Sequence, residues 1–535
     1  MKQLNKKQTK SIRTYSIGIM LLPFLLFSIF ISCSDDSEDE ELSSVAQIDS
    51  FTFEPKSNKE IIVTSPGRMS GSDISISIPN GVSPTAFVAT FTYSGKSVKV
   101  GDVEQVSGVT KNDFSKPVVY TVTATDGTTV NYTVVSKELP LVPKVYVNTW
   151  GVPISDKETY VKSEVRIEDV QYATATDLPA GIKGRGNSTW DKPKKPYRIK
   201  LDKKASLLGL SNDKNWALLA NYFDKTLLRN ITAFEIAKIA DMEWTPSSVS
   251  VDFYMNGIYQ GVYSLTEHVR VSEERLNMDL VEPSDNSGEA LTGDYFLELD
   301  FHWDEYYKFK TDLEQLPIMF KDPEEPTDAQ FNYVKDYFNT AERVLYSSNF
   351  KDPDDGYRKY IDVESFINYY IVQELAKNVD GNMRGSCYMS IRRNGKIEMP
   401  LVWDFDLAFG NADYIVEEQG ASSAGPDGWY IKTCSPWFDR LFKDPYFVSE
   451  LKKRWEELKP ELDGIPDFIR EHALAIQDSQ ARNFTSQPNG AGWNINQEEW
   501  NTSRKGVSYT SEVNFFINFV EKRLQWLNTN INKLQ

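Results

Sequence analysis

Histidine and cysteine are the scarcest functional residues in this chain, three of each among 535. Three cysteines (Cys33, Cys387 and Cys434) are far from a disulfide framework. No CxxC or paired-histidine spacing is present, and His268, His302 and His472 are scattered. This argues against a zinc centre and a Ser-His-Asp hydrolase. Positive charge is also in short supply: the formal charge is −18, and residues 1–32 carry five basic residues (Lys2, Lys6, Lys7, Lys10, Arg13) and no acid, so their removal leaves −23. Such an acidic surface argues against nucleic acid as the main partner. One long apolar run exists, about Ile17 to Ile31, and Pro23 interrupts it. A short apolar run behind a basic start reads as a secretion signal.

The signal ends FISC and is followed by SDDSEDEE. This resembles the lipobox of Bacteroides-type lipoproteins, with Phe30 where leucine is usual. The resemblance implies a signal peptide over 1–32, lipid on Cys33 that ties the chain to the outer membrane, and exposure at the cell surface. Residues 33–45 are too acidic and too poor in apolar side chains to fold, and serve as a tether. Short alternating runs then follow: SFTF at 50–53, ISISI at 74–78, FVATFTY at 87–93, and VVYTVTA paired with TVNYTVV through Asp126-Gly127. These predict an all-β, immunoglobulin-like sandwich over 46–137, acting as a stalk or binding spacer. The proline-bearing segment 138–143 reads as a linker.

Beyond the linker, GIKGRGNSTWDKPKKPYRIKLD at 181–202 places Gly184 and Gly186 in a polar turn ahead of an alternating strand. Tyr197, Ile199 and Leu201 share one face, and Arg198 and Lys200 the other. Glycines let a backbone approach phosphate, and a lysine on the next strand can reach the same anion, although most two-glycine loops are plain turns. Helical periodicity from about Lys225 to Ala240 and a hairpin through Asn256-Gly257 complete a small lobe. A more helical lobe follows. Its helix DVESFINYYIVQELAKN runs into Asp380, and an apolar strand-like run ending at Trp403 leads to Asp404 and Asp406. Asp380 is placed to orient or deprotonate a hydroxyl, and Asp404 to hold a hard cation; the same acids could equally be loop caps. The remaining chain, 461–535, is helix-rich.

KGRGNSTWDKPKKPYRIKL, NYFDKTLLRN, GIYQGVYSLTEHV, NVDGN and PLVWDFDLAFGN, in this order over residues 144–460, resemble the spore coat protein H (CotH) kinase family. The resemblance implies an α+β, divergent protein-kinase-like two-lobed domain, with 461–535 as its helical extension. It implies an atypical kinase using ATP and Mg²⁺ or Mn²⁺ to phosphorylate hydroxyls of secreted or surface proteins. Asp380 takes the catalytic position and Asp404 the metal position, with Asp406 and Asn382 as further metal candidates. Gly184, Arg185, Gly186, Asn187 and Ser188 form the nucleotide loop. Lys195, or Lys200, contacts phosphate; Arg229 organises lysine or phosphates, or is buried structure; Glu267 lies near the base. Ordinary kinase features are missing: no HRD triplet precedes Asp380, and Asp406 stands where DFG has glycine. The competing readings are a catalytically silent kinase-like surface lipoprotein binding a glycan or protein, and a carboxylate-pair glycoside hydrolase.

Overall fold

The computed structural model describes residues 43–172, 175–486, 490–496, 504 and 507–535. The expected signal peptide, Cys33 and most of the tether lie outside them. Among the described residues no helix is long and apolar enough to cross a membrane.

Residues from Gln47 to Glu138 form an all-β domain of nine strands. The alternating isoleucines of Asp73–Ile78 point inward, and Val118–Thr123 pairs with Thr129–Glu138 as the predicted hairpin, with Gly127 at φ 91° in its turn. An aromatic cluster fills the core. Phe51 meets Tyr120 edge-on at 5.2 Å, and Phe53 meets Phe114 at 4.8 Å. Each such buried ring contributes about 1.5–3 kcal/mol of transfer free energy. The linker is not free: Leu139 and Val142 pack against the core. The domain is fastened to the C-terminal helices by an Arg68–Glu471 ion pair and by Gln477, whose amide donates to the Glu60 carbonyl at 3.0 Å. The linker segment 138–143 is thus packed against its neighbours at Leu139 and Val142.

The next unit is β-rich. Seven strands close into a barrel, beginning with Lys144–Asn148 and Val161–Glu168 and ending where Ser248–Met255 returns to pair in parallel with the first strand. Ile182, Ile199, Trp216, Phe253 and Leu265 fill its interior. The Asn256-Gly257 hairpin forms as predicted, both residues at positive φ. The predicted helix starts later, at Arg229–Ile239. Its Ala233, Ile236 and Ala237 are buried in the large helical core rather than on the barrel.

A five-stranded sheet and helices form the rest. Its central helix, Val363–Ala376, is capped by Asp362, which accepts from the Ser365 amide. It is buried from Phe366 to Ala376 because helices and sheet surround it. The run Met399–Trp403, expected as a strand, is buried but unpaired beyond Ile397–Glu398; Pro400 lacks the amide a ladder needs. The final helix, Tyr509–Ile531, is locked to the central one by a fully buried Arg523–Glu374 ion pair at 2.6 Å. Cys387 and Cys434 are not bridged.

Candidate active site

A cavity of about 620 Å³ opens between the barrel and the helical part. Its barrel wall is the glycine loop. A Cβ on Gly184 would lie 2.5 Å from the Trp190 ring, and Gly186 has φ 82°, so both positions require glycine. The amides of Gly184 and Arg185 donate within the protein, to Asp156 O and Pro196 O. Lys183, Arg185 and Arg198 line the cavity from the barrel together with Lys157, and Lys321 and Arg384 line it from the other side. Arg185 lies 5.6 Å above the Trp403 ring and is drawn to Asp404. Arg198 pairs in register with Lys183, donates to Asn215 at 3.2 Å, and keeps a buried Nε with no hydrogen-bond partner.

Opposite stand carboxylates: Asp380, Asp404, Asp406 and Asp300. Burial, and then the charge of Asp404, push the Asp380 carboxyl up to about 6, while Arg384, donating at 3.0 Å, pulls it down. Burial also raises Asp404, with Arg185 opposing and Asp300 reinforcing. Asp406 is raised furthest, by burial and then by Asp404, Asp224 and Asp380. Asp404 is enclosed by protein yet has exposed surface opening into the cavity. Burial is thus the first cause of the shift at Asp380, Asp404 and Asp406, and the charge of neighbouring carboxylates adds to it.

The backbone around them is tightly specified. Asp404 has φ 65°, a left-handed conformation that aspartate tolerates better than most residues. It is held by Asn230, whose side-chain oxygen accepts from the Phe405 amide at 2.8 Å. Asn411 donates to Asp406 O at 2.7 Å and to Phe223 O at 2.9 Å. Asp300, at the end of Tyr295–Leu299, accepts from the Ser386 amide at 2.9 Å and from His302 at 2.7 Å, bracing the turn after Asp380.

The structure thus brings Gly184, Arg185, Gly186, Asn187, Ser188, Asp380, Asp404 and Asp406 to one cavity. Five other candidates lie off its lining. Lys195 donates to Trp190 O and lies 5.0 Å over that ring. Lys200 is exposed, because the cavity reaches Arg198 but not two residues further along the same strand face. Arg229 is fully buried: it pairs with Asp224 and donates to Ala408 O at 3.1 Å, which makes it a brace for the loop carrying Asp404. Glu267 accepts from the Ser211 and Ser247 amides at 2.8 and 2.9 Å. Asn382 is 8% exposed within the turn closed by Asp380 O and the amides of Arg384 and Gly385. Among the described residues, no three His, Cys, Asp or Glu side chains are grouped to hold a metal ion by themselves. Of the expected metal candidates, Asp404 and Asp406 share the cavity lining and Asn382 lies off it.

Residue patterns had pointed to Lys195 and Lys200 and passed over Lys183, Arg198, Arg384 and Asp300. Strand alternation was the available signal for Arg198, which shares its face with Lys200. Nothing in the sequence marked Asp300 beyond its place after GDYFLEL.

Residues 182–527 match the family described as CotH kinase protein, spanning both walls of the cavity and the last helix. The chain belongs to the CotH kinase protein family. Residues 48–135 match the domain described as SGBP, N-terminal, which corresponds to the all-β domain preceding the CotH region. No curated protein matches the chain. Among solved structures, a Bacteroides thetaiotaomicron protein named as a candidate glycoside hydrolase aligns at 16% identity, over 41% of this chain and 55% of its own length. The TM-score is 0.16, too low for a shared fold to follow.

The carboxylate wall of the CotH region suits a hard divalent cation. Mg²⁺ is commonly held by one or two carboxylates together with substrate phosphates, so oxygen ligands facing a cationic loop fit Mg²⁺ or Mn²⁺ without a three-residue cage.

Proposed function

We propose that this protein is an extracytoplasmic kinase that transfers the terminal phosphoryl group of ATP to hydroxyls of secreted or surface proteins, through a divergent kinase-like, two-lobed CotH domain. The observation that carries this reading is the opposition, across one cavity, of Lys183, Arg185 and Arg198 to Asp380, Asp404 and Asp406. Phosphoryl transfer asks a protein for placement and charge compensation more than for covalent chemistry. Lys183, Arg185 and Arg198 would hold phosphate oxygens, and Asp404 with Asp406 would hold the divalent ion. ATP with its cation supplies the phosphoryl group and neutralises charge on it. Asp380 accepts the proton of the attacking hydroxyl as its oxygen bonds to the γ-phosphorus and the bond to the leaving ADP breaks, and Arg384 fixes the orientation of Asp380.

Under the same reading residues 1–32 are a lipoprotein signal, Cys33 carries lipid, and the immunoglobulin-like domain presents the kinase at the outer membrane. A second reading is a silent, surface-exposed binder of glycan or protein, favoured by the match of residues 48–135 to an SGBP domain. Nucleotide binding separates the two. The kinase reading expects Mg²⁺-dependent ATP binding that weakens at least tenfold in Asp404→Ala. Glycan binding with no nucleotide affinity selects the second.

A further inference from the structure

His268 lines the cavity between barrel and helical part, yet the chemistry proposed above gives it nothing to do. It is the first residue after the barrel strand Ile258–Glu267. Its backbone is pinned on both sides: the Glu267 amide donates to Ser247 O at 3.0 Å, and His268 O accepts from Arg275 Nη1 at 2.6 Å. The ring is fixed as well. Nδ1 lies 2.7 Å from Val269 O, and since a carbonyl has no proton to give, Nδ1 carries the hydrogen and donates it. Nε2 has no hydrogen-bond partner among the described residues, and it is not one of the unpartnered atoms sealed away from solvent.

The charge of the ring decides what Nε2 can do. Burial, and then the guanidinium charges of Arg198 and Arg185, hold His268 well below the usual histidine range. The ring is therefore neutral near pH 7, and Nε2 is a bare acceptor. This separates it from the other polar groups of the barrel wall. Lys183, Arg185 and Arg198 can only donate, and suit phosphate oxygens; a neutral acceptor suits an N–H or O–H of an uncharged part of the ligand.

The surroundings favour the N–H. Val269, next in the chain, packs against an apolar cluster that includes Leu219, Tyr388 and Trp403, three side chains that also line the cavity. Apolar surface beside one acceptor fits the flat face and amino edge of a nucleobase better than a ribose, whose hydroxyls need several polar partners. The distance along the site also fits. The charge of Arg185 acts on both Asp404 and His268, so a ligand with its cation at Asp404 and its phosphates at Arg185 has its other end near His268.

We propose that His268 selects the base: its Nε2 accepts from the 6-amino group of adenine, and the site discriminates against 6-oxopurine nucleotides. A 6-oxopurine sets a carbonyl oxygen against Nε2, acceptor facing acceptor, and leaves both unpaired. The proposal rests on the kinase reading and names the residue that would make ATP its nucleotide.

Calorimetric titration of the full chain with Mg²⁺ tests it, using ATP, inosine triphosphate, 3′-deoxy-ATP and inorganic tripolyphosphate. Wild type binds ATP at least tenfold more tightly than inosine triphosphate. In His268→Phe, which keeps a ring but no acceptor, that ratio falls below threefold because ATP weakens, while tripolyphosphate affinity is unchanged. His268→Gln, whose amide oxygen restores an acceptor, keeps the preference for ATP. Circular dichroism checks that both variants fold. Equal affinity of wild type for the two purines, an undiminished ratio in His268→Phe, or tripolyphosphate weakened in step with ATP would overturn the assignment and leave the kinase reading standing. A loss with 3′-deoxy-ATP in wild type that disappears in His268→Phe would overturn it in favour of the ribose. No nucleotide binding by wild type would remove the kinase reading and this proposal together.

Discussion

Replacing Asp380 with asparagine should stabilise the metal-free protein while removing its activity. The Asp380 side chain is 22% exposed, and its carboxyl is raised from 3.8 to about 6, by burial first and by Asp404 second. A raised carboxyl is a stability term with a definite sign: the native state binds the proton more tightly than the unfolded chain. The stability it contributes is present below pH 3.8 and is lost as pH rises through about 6. The rise corresponds to about 3 kcal/mol of cost in the ionised protein. Asparagine abolishes that charge, and the value of about 6 already includes the opposing pull of the partly exposed Arg384 ion pair. A net gain of about 3 kcal/mol is therefore expected at pH 8, nearly absent at pH 4. Urea unfolding with EDTA at both pH values measures it. Mg²⁺, which Asp404 and Asp406 would hold in both proteins, should narrow the difference at pH 8, because its charge offsets the cost of the ionised Asp380 in the wild type. An Asp380→Asn protein that is less stable at pH 8, or equally stabilised at pH 4, would refute the electrostatic reasoning.

Other consequences are equally open to measurement. Arg198→Ala should weaken ATP affinity at least tenfold, whereas Lys195→Ala should change it less than threefold, because Lys195 is occupied at Trp190. Asn230→Ala leaves the buried Phe405 amide unpaired, costs about 1–3 kcal/mol of stability, and lowers turnover by misplacing Asp404, a loss visible in the metal dependence of the rate. Arg523→Ala leaves the Glu374 carboxylate in the core without its counter-charge and should cost about 3–5 kcal/mol, showing by thermal unfolding that the last helix belongs to the CotH unit.

Local patterns were good guides where local chemistry decides. The Asp126-Gly127 and Asn256-Gly257 hairpins, the Asp362-capped helix and the C-terminal helix could all be read from turn residues and periodicity. What escaped depends on contacts between distant segments. Closure of the barrel rests on a parallel pairing of Lys144–Asn148 with Ser248–Met255, about a hundred residues apart. Docking of the all-β domain rests on Arg68 finding Glu471. At the site, Asp380 and Asp404 were legible because they sit in compact motifs. The basic residues were harder, since KKPYRIK offers several cations within a few positions and only the extent of the cavity along the strand decides that Arg198, and not Lys200, lines it. Asp300 reaches the site through the sheet, with no motif to announce it.

The most direct test of kinase chemistry is transfer of label from γ-labelled ATP, with Mg²⁺ or Mn²⁺, to the protein itself and to proteins of the outer membrane. Label should appear on serine, threonine or tyrosine hydroxyls with wild type, require the divalent ion, and vanish in Asp380→Ala and Asp404→Ala. Absence of both transfer and nucleotide binding in the wild type would contradict the kinase assignment, and full activity in Asp380→Ala would contradict the role given to that carboxylate.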